Sequence, residues 1–99
     1  MKVEYSNRAT SDLRKIAADS RHIFGEKVAG ELGLRIEEIV ERIRRAPESA
    51  PKVDQRSGVR VVLLIRYPYK ILYRVLQDRV RILHIRIRRD ARGDRRIDR

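Results

Sequence analysis

The sequence predicts an α+β domain in which an N-terminal short strand and an antiparallel α-helical hairpin pack on an antiparallel β-sheet. Three observations carry that prediction. Apolar residues recur at three- and four-residue spacing through the first half of the chain, strand-like runs fill most of the second half, and a Pro-, Ser- and charge-rich loop from Pro47 to Gly58 divides them. A helical stripe and a half-apolar sheet each need a cover, so the two halves are expected to bury against one another.

Val3 and Tyr5 alternate with Lys2 and Glu4, which reads as an opening strand, and Ser6 stands where a helix N-cap is expected. The first helix begins near Asn7. Ala9, Leu13, Ile16 and Ala17 form its apolar stripe, with Arg8, Arg14 and Lys15 pointing away, and Gly25 ends it. A longer helix from Glu26 to Arg45 follows, with Val28, Leu32, Ile36, Ile39 and Ile43 on one stripe. Glu31 to Arg35, Glu38 to Arg42 and Glu41 to Arg45 stand in the favourable i,i+4 order. Ala46-Pro47 closes this helix. With so short a link at Gly25 the two helices must run antiparallel.

Val59 to Arg66, Tyr69 to Leu76 and Arg79 to Ile87 read as three strands. Pro68 has no N–H to give to a ladder and marks the turn between the first two. Gln77-Asp78 is a short link that makes the last two antiparallel neighbours, although Gln-Asp is not a favoured primed-turn pair. Strict alternation places Ile71, Tyr73 and Val75 opposite Leu72, Arg74 and Leu76, and Val80, Ile82, His84 and Arg86 opposite Arg81, Leu83, Ile85 and Ile87. Both faces of the sheet are therefore partly apolar. One takes the hairpin and the other is left for a partner.

The chain has 99 residues, which is one domain, read as 1–99 with residues 88–99 forming a basic, flexible C-terminal tail. No run of about 18 apolar residues is present to span a bilayer, and Met1-Lys2-Val3-Glu4 lacks a leader's apolar stretch, so a cytoplasmic protein without a membrane partner is expected. Cysteine is absent, and His22 and His84 lie far apart, so neither metal nor any other cofactor is expected. A formal net charge of +11 favours an anionic partner: nucleic acid, an acidic protein or an acidic peptide. Tyr67, Tyr69 and Tyr73 read as half-buried sheet framework more than as a base-stacking platform, and both histidines read as structural.

The order strand, helical hairpin, loop, then Gly58-Val59-Arg60, Tyr67-Pro68-Tyr69-Lys70-Ile71-Leu72-Tyr73-Arg74-Val75 and Val80-Arg81-Ile82-Leu83 resembles the RelE/ParE superfamily of bacterial toxins, and its ParE branch more closely. The resemblance runs from Val3 through Asp12-Leu13 and the Pro47 loop to about Arg92. It implies a type II toxin silenced by a cognate antitoxin, with DNA contacted only indirectly through that antitoxin. ParE-type members act by binding DNA gyrase; RelE-type members cut messenger RNA on the ribosome. The working residues separate the two. No tyrosine follows Tyr73, Lys70 stands where the ribonucleases often carry an arginine, and Ile87 stands near the place of a histidine common in ParE-type chains. No catalytic set is assigned.

The resemblance thus implies a gyrase-binding toxin, with Arg60, Arg74, Arg86, Arg88, Arg89 and Arg92 as target-binding cations and Leu13, Ile16, Leu72, Ile82 and His84 as the antitoxin-binding set. The antitoxin is expected to lay an amphipathic helix into an apolar groove and to add an extended segment to the sheet edge. Two alternatives stand beside it: a ribosome-dependent endoribonuclease using Lys70, Arg74 and Arg89, and a non-toxic relative that only binds an antitoxin.

Overall fold

Six elements follow one another in residues 1–88, the part of the chain this computed structural model describes: β1 (Lys2–Tyr5), α1 (Asn7–Phe24), α2 (Glu26–Arg45), β2 (Val59–Leu63), β3 (Tyr69–Val75) and β4 (Arg79–Ile87). The tail expected from residue 88 onward lies, apart from Arg88, outside the described residues. Both helices start and end where the sequence places them. Ser6 accepts from the Ala9 N–H at 2.9 Å, and Gly25, at φ 89°, is the single residue that lets the chain leave α1 and enter α2.

The strand order is β1-β4-β3-β2. β2, β3 and β4 are antiparallel as expected, while β1 adds to β4 in parallel, so the sheet is mixed. β2 stops at Leu63 rather than Arg66, because the Leu64 N–H already closes the turn on the Tyr69 carbonyl at 3.0 Å. Gln77-Asp78 forms a two-residue loop, closed by Leu76 N–H to Arg79 carbonyl at 2.7 Å, and neither residue takes a positive φ, so the turn is not type I′.

The helices cover one face of the sheet. Leu32, Ile36, Ile39 and Ile43 of α2 and Ala9 and Ile16 of α1 meet Ile71, Tyr73, Val80, Ile82 and Ile85. Full burial of an aliphatic side chain such as Leu32 contributes roughly 1.5–3 kcal/mol over leaving it exposed. Tyr69 and Tyr73 belong to this core, and the Tyr73 hydroxyl donates to the Pro47 carbonyl at 2.6 Å, anchoring the loop that follows α2.

Two local expectations are corrected. Of the three i,i+4 pairs only Glu41 to Arg45 forms, at 3.5 Å; Arg35 instead reaches Glu38 at 3.0 Å and Arg44 also holds Glu41, both at i,i+3. Glu41 titrates below its ordinary value, chiefly through the hydrogen bond from Arg44. The second correction concerns β4, where alternation does not persist along the strand. Tyr73 pairs with Ile82 but Leu72 pairs with His84, so Leu83 is inserted as a bulge. Ile85 therefore joins Ile82 in the core.

Candidate functional site

The bulge is held from α1. The Ser6 hydroxyl donates to the Leu83 carbonyl at 2.9 Å, the Ser6 N–H donates to the Ile82 carbonyl at 3.0 Å, and Asp12 Oδ2 accepts the Ile85 N–H at 3.0 Å. One end of α1 is thereby pinned to β4 just where β1 runs out, and this pinning decides which side chains reach which surface.

The face of the sheet turned away from the helices carries Lys70, Leu72 and Arg74 of β3 beside Arg86, His84 and Arg81 of β4, as the pairs Lys70 with Arg86, Leu72 with His84 and Arg74 with Arg81 require. Lys70, Arg74 and Arg86 thus share one surface. Their engagement differs. Arg74 donates to the Ser57 carbonyl at 3.0 Å and braces the loop at Gly58, whereas no ion pair or hydrogen bond engages the side chains of Lys70 and Arg86 among the described residues. Arg81 and Arg79 both bind Glu4, whose carboxyl is held below its usual range first by the Arg81 hydrogen bond. Leu72 is buried in the middle of this face, giving it an apolar floor with a basic rim.

His84 sits at the edge of that floor. Burial, and next the nearby Arg8 guanidinium, push its pKa below the ordinary value, so the neutral imidazole is favoured. Its Nδ1 lies 3.7 Å from Asp12 Oδ2, beyond hydrogen-bond range, and that oxygen is already used by Ile85. The Asp12–His84 pair is therefore not an oriented general base.

The predicted antitoxin set does not form one patch. Leu13 and Ile16 line a cleft of about 440 Å³ between α1 and α2, together with Tyr5, Ala17, Ala29 and Leu32. Leu72 and His84 lie on the opposite face of the sheet. Ile82, which alternation places beside His84, is 0% exposed and belongs to the core under the helices. The inserted Leu83 separates the two. Nothing in the local sequence marks that bulge, since it depends on Ser6 and Asp12, more than seventy residues away in the chain.

Arg60 and Arg88 also act within the fold. Arg60 donates to the Glu48 and Ala50 carbonyls at 3.1 and 2.7 Å, and Arg88 donates to the Leu64 carbonyl at 2.9 Å. Arg89 and Arg92 lie outside the described residues. Sequence reasoning missed a second cleft, of about 570 Å³, between α1 and the end of β4, lined by Arg8, Asp12, Lys15, Ile16, Asp19, Pro68, Tyr69, Ile85, Arg86, Ile87 and Arg88. Its one legible signal is the polar side of α1, where Arg8, Asp12, Lys15 and Asp19 recur at helical spacing and pair at i,i+4. Among the described residues no cluster of three His, Asp or Glu side chains is placed to hold a metal, and no helix is long and apolar enough to cross a membrane.

A helical hairpin over a four-stranded mixed sheet is the architecture of the RelE/ParE-type toxins. The family model for the ParE toxin of the type II toxin–antitoxin system parDE matches residues 3–92, and the chain belongs to that family. Among solved structures, a chain from the chromosomal ParDE system of P. aeruginosa superposes with a TM-score of 0.78 at 26% identity, covering 89% of this chain and 96% of that one. The isolated E. coli RelE toxin gives 0.63 at 16% identity, covering 98% and 95%. A chain of the intact E. coli RelBE toxin–antitoxin complex gives 0.53 at 18%, covering 87% and 94%. No curated protein matches by sequence.

Proposed function

We propose that this toxin arrests growth by binding DNA gyrase, without chemistry of its own, and that a cognate antitoxin silences it by covering overlapping surface. The match to the ParE family across residues 3–92 carries this reading. The higher similarity to the ParDE chain than to RelE supports it. The outer sheet face supplies the contact: Lys70 and Arg86 are its disengaged cations, Arg74 shapes it from the loop side, and Arg88, Arg89 and Arg92 continue the basic run in sequence. Arg60 acts behind this face by holding the loop after α2. The toxin works in the cytoplasm.

A ribonuclease reading draws on one observation, the gathering of Lys70, Arg74, Arg86 and His84 around buried Leu72, since cations beside an apolar floor suit a scissile phosphate and a stacked base. Among the described residues it lacks an oriented base. The deciding experiment is induction of the toxin alone, with plasmid supercoiling and message integrity followed together. Growth arrest with DNA-damage signalling and inhibited supercoiling by purified gyrase is expected, and Arg86→Glu should relieve the arrest while leaving the protein folded. Cut messenger RNA with intact supercoiling would overturn the gyrase reading, and unaffected growth would favour a non-toxic antitoxin-binding role.

A further inference from the structure

We propose that Arg56, Lys70 and Arg86 form a cradle on the outer sheet face for carboxylate side chains of an acidic protein segment, coupled to protonation of His84. Filling the cradle takes up a proton there, so the site tightens as pH falls. This rests on the reading of the outer face as the contact with the target.

Two pairs of cations oppose each other across β3 and β4 on this face, and they differ. Arg74 faces Arg81, but the Ser57 carbonyl holds Arg74 and Glu4 holds Arg81. Lys70 faces Arg86, and neither has an ion pair or a side-chain hydrogen bond among the described residues. Like charges directly opposite each other destabilise a sheet, and an anion set between them removes that cost. The third arm comes from the loop before β2. The Arg74 bond to Ser57 holds that loop on the outer side of the sheet, where the exposed Arg56 guanidinium lies near enough to press on the His84 pKa. Arg56 too has no ion pair or side-chain hydrogen bond among the described residues.

His84 stands among these cations. It pairs with Leu72, Lys70 lies diagonally across from it at about 7–8 Å, and Arg86 follows two residues along its own strand. Its side chain is 19% exposed, and Nδ1 is buried without a hydrogen-bond partner among the described residues. Burial first, then Arg8 from α1, Arg86 and Arg56 disfavour the imidazolium, while Asp12 from α1 favours it. Arg8 already pairs with Asp12, so a carboxylate between Arg56 and Arg86 offsets the two free cations that keep the proton away. The proton then has a place to sit. An imidazolium carries N–H on both ring nitrogens, and Nδ1 lies 3.7 Å from Asp12 Oδ2. The coupling is reciprocal: a proton on His84 favours the anion as much as the anion favours the proton. Carboxylates suit the cradle better than nucleotides, because no aromatic ring stands on this face to stack a base. Tyr69 and Tyr73 are in the core, Tyr67 packs against it, Tyr5 lines the cleft between the helices, and Phe24 ends α1. An apolar residue beside the acidic ones suits buried Leu72, and a second copy of a chain carrying +11 brings the wrong charge.

The test uses the full chain, with its histidine ring signals followed by NMR, and three probes: a short Glu-Leu peptide, a Lys-Leu control and an oligouridylate matching the Glu-Leu peptide in charge. His84 of the free chain is expected to titrate below the ordinary 6.5, and the Glu-Leu peptide to raise that value. By the same linkage the affinity for this peptide should rise about fivefold from about pH 7.5 to 5.5, a range in which its Glu side chains stay ionised. His84→Gln should bind at pH 7.5 but lose the rise, whereas His22→Gln should keep it. Arg56→Ala should weaken binding about tenfold at unchanged Tm, since that side chain holds nothing within the described fold. Several results overturn the proposal: no peptide binding, equal binding of the Lys-Leu control, a pH-independent affinity, a rise that survives His84→Gln, or indifference to Arg56→Ala. Tighter binding of the oligouridylate would assign the face to nucleic acid and overturn it as well. So would a His84 that titrates at or above 6.5 in the free chain, because the cradle would then be filled without a partner. Failure of the gyrase reading is separate, since a chain that takes the peptide with its proton but leaves supercoiling intact loses gyrase and keeps the cradle.

Discussion

Arg60, Arg74 and Arg88 show how little a cation's sequence position says about its task. Each aims its guanidinium at a backbone carbonyl, of Ala50, Ser57 and Leu64 respectively, and so ties a loop to the sheet. A planar fork of donors suits carbonyls that no strand partner satisfies. Lys70 and Arg86 differ from them only in what the register puts nearby. His84 makes the residue-scale prediction. Its pKa is lowered in the fold, so as pH falls the unfolded chain takes up the proton first; stability is full above the ordinary value of 6.5 and declines as pH drops through it. Thermal unfolding should show a falling Tm from about pH 7.5 to 5.5 that His84→Gln flattens. An unchanged slope in the variant would show that burial of His84 does not couple to folding. Glu4 and Glu41, both lowered by arginine hydrogen bonds, lose their contributions only as pH falls below 4.5, outside this window.

At the scale of elements, α1 does two tasks through one residue. Ser6 caps the helix by accepting from Ala9 and holds the β4 bulge by donating to Leu83. Ser6→Ala should cost about 1–2 kcal/mol by denaturant unfolding, as an N-cap and a partly buried hydrogen bond are lost together. Ser6→Asp separates them, because a carboxylate caps the helix but does not donate to a carbonyl; it should recover only part of the loss. Full recovery would mean that the Leu83 contact contributes nothing. The helices were legible from Ser6, Gly25 and Pro47 because caps and breakers act within a turn or two. The bulge was not, because its stabilising contacts come from the other end of the chain.

Across the whole molecule, one core joins both layers: Leu32, Ile36 and Ile39 of α2 share it with Tyr73, Val80 and Ile82 of the sheet. Neither layer has an apolar interior of its own. Unfolding of the full chain should therefore be a single transition, with far-ultraviolet circular dichroism and tyrosine fluorescence coinciding in denaturant. A tyrosine signal that melts before the helical signal would show that the hairpin stands without the sheet. The charge is also a whole-molecule property. Lys15, Arg35, Arg44 and Arg45 meet carboxylates on their own helices, whereas Lys70 and Arg86 on the outer sheet face meet none among the described residues.

The sequence by itself determined the elements, the helical hairpin, the antiparallel run β2–β3–β4 and the toxin family, since periodicity, caps, Pro68 and the order of motifs are local signals read in series. Only the tertiary structure decided that β1 joins β4 in parallel, that Ile82 and His84 face opposite ways, that Arg60 and Arg74 brace loops, and that the end of β4 runs beside α1. Those outcomes rest on contacts such as Ser6 with Leu83 and Asp12 with Ile85, between residues more than seventy positions apart, where spacing along the chain carries no information about what meets.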